Sequence, residues 1–266
     1  MGKALLVAKP INPLASAQVA SLFGYSSNSA TEANTQASCT EAATFSNLRT
    51  NIIAGNSGTA TFTFRDAGAN GQQTFQITGT GSNEDAINSD VLAAADLFNI
   101  AYTDTGTDST LAWLAGNVAF SSGHGNFHGY AALAGTVHDV ASATRFIGLH
   151  GNLSVDGGAT EDNVEWKNRG YTSFEALQVR VSANARLNNS DFNNRIDGVA
   201  GSLLCQFATL VTGLISDTSP ADALTDGQTI NASITLGTGV QDLIVTFVVG
   251  TVKSTSSKSE TWGGSR

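Results

Sequence analysis

Alternation of apolar and polar side chains with a period of two residues is the feature that most constrains this chain. In the segment 59–65, Phe62 and Phe64 are expected to point to one side of the strand. Thr61, Thr63 and Arg65 are expected to point to the other side. A strand with one buried face has this pattern. The sequence therefore predicts a β protein rather than a helical one.

Three further segments are predicted to be strands. The segment 177–182 alternates in the same way, with its apolar residues expected to face inward and its polar residues outward: Leu177, Val179 and Val181 against Gln178, Arg180 and Ser182. The segment 74–78 is similar, and 243–249 is apolar on both faces, as in a buried strand. Only 91–98 has helical propensity.

Clusters of Gly, Asn, Asp and Ser separate these segments at 67–71, 79–83 and 104–108. Such residues accept positive φ or bond to their own backbone in turns. Short strands with turns between them are typical of a sandwich or jelly roll. Because 41% of residues are hydrophobic and only 13% are charged, a disordered chain is disfavoured.

The chain can also be aligned with itself at a shift of about 130 residues. The shift grows along the chain, as it would if loops had gained residues in one copy. The paired residues include Glu32 with Glu161, Phe45 with Phe174, Arg65 with Arg195, Phe75 with Phe207, Asp85 with Asp217, and Asn99 with Asn231. Alignment of 92–100 with 224–232 also predicts a strand at 97–102.

We therefore predict an all-β chain of two tandem jelly-roll or sandwich domains related by internal duplication. The first comprises an N-terminal arm and a jelly roll (1–122), the second a linker and a jelly roll (123–253), and 254–266 forms a tail.

Net charge, the N-terminal segment and the number of cysteines each argue against one class of partner or site. At −9 and a pI near 4.7, the chain would repel phosphate, so no nucleic-acid partner is expected. The N-terminal apolar run is too short for a membrane span, and no membrane partner is expected. Cys39 and Cys205 are too few for a disulfide scaffold or a thiolate metal site.

Several segments together carry a resemblance to a known family. They are 47–52, 58–65, 74–79, Asp85, 88–90 and 93–97. This series resembles a module of tailed-bacteriophage virion proteins, in which a strand ending in Arg enters a hairpin and a small-small-Gly-Asp segment opens a late strand. The chain differs from that pattern at Ala95, where the family has Gly, and at Ala67-Gly68, where it has Asn-Gly. The resemblance implies a jelly-roll component of a virus particle, outside the capsid or on the tail.

The triplet Asp104-Thr105-Gly106 matches that of aspartic proteases, in which two carboxyl groups share a proton. The second half of the chain has Gly237-Thr-Gly239 near the matching place, without a carboxylate. A homodimer could supply the second triplet. An exposed turn is the favoured interpretation.

The sequence allows two hypotheses about metal binding, one for zinc and one for calcium. His124, His128 and His138 could bind zinc, but the glycines around them favour loop histidines. Acidic groups could bind calcium in both halves: Asn83, Glu84, Asp85, Asn88 and Asp90 in the first, and Asp217, Asp222 and Asp226 in the second. Without a regular ligand spacing, side-chain turns are the alternative.

The remaining candidates have structural interpretations. Arg65 and Arg195 are expected to lie beside carboxylates at strand ends. Trp113 is expected in the core. The three tryptophans, Trp113, Trp166 and Trp262, lie too far apart in the sequence to indicate an aromatic sugar-binding surface. We assign no catalytic, cofactor-binding or metal-binding residue, and predict no cofactor and no enzyme.

The predicted function is a virion structural protein. A capsid decoration or cement protein on the outer surface of the virion would bind the major capsid protein and copies of itself, as a homotrimer or higher assembly. The alternative is a trimeric tail-fibre or adhesin module that binds host glycans through aromatic residues such as Phe127 and Tyr130. A secreted hydrolase is a third hypothesis, disfavoured by the missing acid/base pair.

Overall fold

The computed structural model describes residues 4–8, 15–20, 28–121, 125–137, 144–147, 161, 165–168, 170–239, 243–254 and 260–261. Its strands, in chain order, are β1 (Ala4–Ala8), β2 (Gln18–Ala20), β3 (Asn28–Ser29), β4 (Ala37–Ser38), β5 (Ala43–Ala54), β6 (Thr59–Asp66), β7 (Ala69–Thr78), β8 (Gly81–Leu92), β9 (Leu97–Asp104), β10 (Thr110–Phe120), β11 (Gly125–Val137), β12 (Thr144–Ile147), β13 (Trp166–Lys167), β14 (Ser173–Asn184), β15 (Ser190–Ile196), β16 (Val199–Phe207), β17 (Gly213–Asp217), β18 (Asp222–Ala223), β19 (Thr229–Thr235), β20 (Leu243–Lys253) and β21 (Glu260–Thr261). One turn of 3-10 helix covers Glu32–Asn34.

The chain divides into two compact units. Unit 1 comprises 1–124 with 257–264 and residue 266, and unit 2 comprises 125–256 with residue 265. The helical propensity of 91–98 does not produce a helix: the segment contains the end of β8, a turn and the start of β9. The strand predicted at 97–102 is confirmed.

Unit 1 consists of two sheets. One has the order β21-β1-β10-β5-β8, and the other has the order β3-β2-β9-β6-β7 with β4 beside β9. Phe45 of the first sheet stacks on Phe64 of the second, with ring centroids 4.1 Å apart, so the core lies between the sheets. Phe62 and Phe64 are buried, as the alternation predicted.

Unit 2 also consists of two sheets. One has the order β11-β20-β14-β17 with β18 beside β14, and the other has the order β12-β19-β15-β16 with β13 beside β19. Its core joins buried residues of both sheets, among them Leu177, Phe192, Cys205, Ile234 and Val248.

Four strands of each sheet follow the same order in both units. In unit 1 they are β1-β10-β5-β8 and β2-β9-β6-β7, and in unit 2 β11-β20-β14-β17 and β12-β19-β15-β16. Two four-stranded antiparallel sheets connected in this way have the strand order of a jelly roll. The prediction of an all-β sandwich fold is confirmed.

The predicted exposure of β14 is wrong. Leu177, Val179 and Val181 are buried, but Gln178 is also fully buried and Arg180 is only 5% exposed. Burial lowers the pKa of Arg180 to about 10. Alternation shows that the two faces of a strand differ, but it does not show that the polar face meets water.

Two further expectations need correction. Trp113 on β10 is half-buried and not part of the buried core. The pairing of Phe75 with Phe207 is also wrong, because in the hairpins Phe62 lies opposite Phe75 while Phe192 lies opposite Cys205. The longer connection of unit 2 therefore comes after β16, where 208–212 takes the place of the turn 79–80.

Candidate functional site

An arginine clamps the first long hairpin of unit 1. Arg65, near the end of β6, donates from Nε and Nη2 to the two carboxylate oxygens of Glu32, at 3.0 and 2.9 Å. Its Nη2 also donates to the carbonyl oxygen of Gly68 in the turn. A fork-shaped guanidinium facing a carboxylate fixes both partners. We call this arrangement of Arg65, Glu32 and Gly68 the arginine clamp. It joins the segment that precedes β4 to the hairpin β6–β7.

An equivalent clamp is present in unit 2. Arg195 of β15 forms the same bidentate pair with Glu161 and donates to the carbonyl oxygen of Gly198. Its guanidinium carbon also lies 5.0 Å from the ring centroid of Phe146, a cation–π distance. As expected from the sequence, each arginine lies beside a carboxylate, although these side chains are largely shielded from solvent.

Acidic side chains close one open side of unit 1. β7 is an edge strand of one sheet, and β8 is an edge strand of the other. The backbone N–H groups of Gln72 and Gln73 donate to the Asp90 carboxylate at 2.6 and 2.9 Å, and that of Thr74 donates to Asp85 at 2.9 Å. Carboxylates of β8 thus satisfy the exposed edge of β7, an arrangement we call the carboxylate clasp.

Unit 2 has a clasp at the corresponding place. The N–H of Ser202 donates to Asp222 at 2.8 Å, and that of Leu204 donates to Asp217 at 2.7 Å. A Cβ added to Gly201 would lie 2.6 Å from an Asp222 oxygen. The absence of a side chain at Gly201 leaves room beside the strand for Asp222 and for the side-chain amide of Asn194, and Gly71 leaves room for Asp90 in the same way.

The clasp explains why these acidic groups are not arranged as a calcium site. Burial acts to raise the pKa of Asp85, but hydrogen bonds from Asn88, Thr74 and Ile87 outweigh it and hold this pKa below its usual range. Among the residues that the structure describes, no group of three or more His, Cys, Asp or Glu side chains is placed to hold a metal ion. Asp226 is exposed in the turn before β19. The clasp carboxylates, Asp85, Asp90, Asp217 and Asp222, accept hydrogen bonds from backbone N–H groups.

The triplet Asp104-Thr105-Gly106 lies at the end of β9 in an exposed turn. The Asp104 carboxylate accepts hydrogen bonds from the Tyr102 hydroxyl at 2.5 Å, the Gly106 N–H at 2.8 Å and the Ser109 hydroxyl at 3.0 Å. Burial acts to raise the pKa of Asp104, and these bonds lower it overall. A carboxylate held ionised by local donors is suited to shaping a turn.

Some predicted candidates lie outside the described residues. His124, His138 and Trp262 are among them, and only the backbone is described for the others: His128, Phe127 and Tyr130 on β11, and Trp166 on β13. The zinc and glycan hypotheses concern these residues and stay predictions.

Both cysteines are buried free thiols. Burial raises the pKa of Cys39 and that of Cys205 to about 12 each. A thiol that stays protonated at neutral pH is a poor nucleophile and a poor metal ligand.

The sequence reasoning missed a cluster of exposed apolar side chains at one end of unit 2. We call Leu187, Leu210 and Val211 the apolar tip; they are 65%, 69% and 42% exposed. Leu210 and Val211 lie in the segment 208–212 that replaces the short turn 79–80 of unit 1. If the alignment of the two halves had placed the extra residues of the second half after β16, Leu210 and Val211 would have been recognised from the sequence as part of a longer connection.

Comparisons with known proteins give little. No known protein family matches the chain, and no curated protein matches it. Among solved structures, it is similar to a conserved protein of unknown function from Pseudomonas aeruginosa PAO1, with 9% identity and a TM-score of 0.21, over 82% of this chain and 79% of that one. A similarity at this level supports no inference about function. Within the described residues, no helix has the length and hydropathy needed to cross a membrane.

Proposed function

We propose that this chain is a virion structural protein, a capsid decoration or cement protein that stabilises a particle by binding its neighbours. The proposal is for a non-enzymatic role on the outer surface of the virion. Its partners would be the major capsid protein and copies of the same chain, in a homotrimer or higher assembly.

One observation supports the proposal best. The two units have the same strand order, and each has its own arginine clamp and its own carboxylate clasp at corresponding places. We infer that the chain arose by internal duplication of one jelly roll. Two related sandwiches in a single chain offer related surfaces, which suits a protein that meets repeated subunits of a shell.

The resemblance to tailed-bacteriophage virion proteins and the negative charge fit this role. A chain with a net charge of −9 would be repelled by packaged nucleic acid, so the outer face of a capsid is favoured over its lining. Four of the acidic residues considered as metal ligands, Asp85, Asp90, Asp217 and Asp222, instead accept hydrogen bonds from backbone N–H groups, as in a structural scaffold.

Stoichiometry in purified particles tests the proposal. Quantitative mass spectrometry of particles from a lysate of the source strain should find hundreds of copies of the chain per particle. A handful of copies would favour the fibre or adhesin alternative, and absence from all particles would overturn a virion role. An image reconstruction would then show whether the chain lies on the capsid surface.

A further inference from the structure

The hairpin β6–β7 of unit 1 contains the one Asn-Gly pair of the sequence, Asn70-Gly71. In such a pair the backbone nitrogen of the glycine can attack the side-chain carbonyl carbon of the asparagine, because glycine has no side chain to obstruct the approach. Asn70 is exposed near the start of β7, two residues after the turn. An accessible side-chain amide followed by glycine, the first requirement of this reaction, is therefore present.

The hairpin is also irregular at this place. The register between β6 and β7 shifts, so that three residues of β7, 71–73, lie opposite a single residue of β6 and form a bulge. The N–H groups of the last two residues of the bulge donate to the Asp90 carboxylate. A ring that closes between Asn70 and Gly71 therefore disrupts fewer ladder hydrogen bonds than it would within two regularly paired strands.

Arg65 contacts the carbonyl group that the glycine nitrogen would attack. Its Nη1 donates to the side-chain oxygen of Asn70 at 2.5 Å, while Nε and Nη2 are held by Glu32. A guanidinium has no acceptor, so the oxygen of the amide, and not its nitrogen, faces Arg65. Negative charge develops on this oxygen when a nitrogen adds to the carbonyl carbon, and a charged donor fixed beside it stabilises that charge, as in an oxyanion hole.

We propose that Asn70 is a site of spontaneous deamidation promoted by Arg65. The Gly71 nitrogen forms a bond to Cγ of Asn70 and loses its proton, while the bond from Cγ to the side-chain nitrogen breaks and ammonia leaves with that proton. Water then adds to the resulting succinimide ring and cleaves one of its two C–N bonds, which gives aspartate or isoaspartate. The net change is the gain of water and the loss of ammonia, and it places a new negative charge beside Arg65.

Unit 2 provides an internal comparison at the corresponding position. Arg195 lies opposite Ala200, as Arg65 lies opposite Asn70, and the register shifts at the same point of the hairpin. Ala200 is also followed by glycine, Gly201. The arginine, the glycine and the bulge are therefore present in both units, but the reactive amide is present only in unit 1.

Peptide mapping by mass spectrometry of the folded chain, kept for weeks at mildly alkaline pH in water labelled with ¹⁸O, tests the site. The peptide with Asn70 should lose its amide and take up the label about tenfold faster, or more, than any other asparagine-containing peptide, because only Asn70 precedes glycine. Asn70→Gln keeps an amide but needs a larger ring, so its peptide should stay unchanged. Ala200→Asn, which places an Asn-Gly pair opposite Arg195, should create a second site.

Two variants of the arginine clamp separate promotion by Arg65 from loosening of the hairpin. Arg65→Met and Glu32→Gln both break the ion pair, but only Arg65→Met removes the donor at the Asn70 oxygen. Deamidation should slow about tenfold in Arg65→Met, less than for a buried oxyanion hole because this site is exposed to water. It should be no slower in Glu32→Gln than in the wild type. The same comparison in unit 2, Ala200→Asn with and without Arg195→Met, repeats the test with the unit 1 clamp intact.

Two results would overturn the proposal. If Asn70 in the folded chain keeps its amide as long as the other asparagines do, it is not a deamidation site. If deamidation is as fast in Arg65→Met as in the wild type, or faster, Arg65 restrains the hairpin and does not promote the reaction. A slower reaction in Arg65→Met, with an unchanged or faster one in Glu32→Gln, supports the assignment.

Discussion

Two alanines hold left-handed backbone at turns where the virion-protein pattern has other residues. Ala95 has a φ of +73°, and Ala67 has a φ of +47° next to Gly68 at +85°. Positive φ at both central residues defines a type I′ turn, which favours Asn-Gly. The two departures from the family pattern are thus positions where the family residue fits this backbone better.

Replacing Ala95 by Gly should stabilise the chain. The left-handed conformation costs alanine about 1–2 kcal/mol, and the greater flexibility of unfolded glycine cancels about 0.5–1 kcal/mol of the gain. Urea unfolding of Ala95→Gly should therefore give an increase of roughly 0.5–1 kcal/mol. Ala93→Gly, two residues earlier and without a positive φ, is the control and should lower stability; equal effects of the two variants would refute the strain argument.

The pH dependence of Asp66 should run opposite to that of Asp85. Burial, then the charges of Asp96 and Asp90, raise the pKa of Asp66, and its Oδ1 is buried without a hydrogen bond among the described residues. Its ionised form is therefore disfavoured in the folded state, and folding loses stability as pH rises through the folded pKa. Hydrogen bonds lower the pKa of Asp85, which contributes stability above the unfolded value of about 3.9 and loses it as pH falls through the folded pKa.

Asp66→Asn should accordingly raise the free energy of unfolding at pH 7 and change it least near pH 3. Asp85→Asn should lower it at pH 7, and its effect should fade in acid. Denaturant unfolding from pH 2 to 8 measures both profiles. If the two variants shift stability in the same direction at pH 7, the assignment of opposite pKa shifts is wrong.

At the scale of elements, the carboxylate clasp should carry a measurable share of stability. Asp90→Ala leaves the N–H groups of Gln72 and Gln73 without their acceptor, and Gln73 is fully buried. An unsatisfied buried donor costs about 1–3 kcal/mol. Thermal unfolding should show that loss, and amide exchange should rise at residues 72 and 73. The exposed Asp108, replaced by Ala, should change stability by less than about 0.5 kcal/mol; a similar loss there would contradict a specific role for the clasp.

The strands themselves were predictable because their alternation is local. Phe62 and Phe64 show it within one segment, and the structure buries both. The burial of Gln178 and the clasp of Asp90 depend on residues distant in sequence, which periodicity cannot show. The acidic groups were found as a cluster, but a single carboxylate has the same appearance in sequence whether it binds calcium or backbone N–H groups.

For the whole molecule, the two units share a framework and differ at their ends. The turn 79–80 of unit 1 is replaced in unit 2 by the longer segment 208–212, which carries the exposed Leu210 and Val211. When the framework is kept and the loops differ, the stability of each unit and the properties of its loops depend on different residues.

This separation predicts that the two arginine clamps act independently. Glu32→Gln and Glu161→Gln each replace a bidentate charged pair by a weaker neutral one, at a cost of about 0.5–1 kcal/mol for these partly exposed side chains. Because the clamps lie in different units and share no partner, the double variant should lose the sum of the two effects within about 0.5 kcal/mol. Amide exchange should rise in the hairpin β6–β7 for Glu32→Gln and in β15–β16 for Glu161→Gln. Exchange that rises in both hairpins after one substitution would show that the units are coupled, and the picture of two self-contained frameworks would then have to be abandoned.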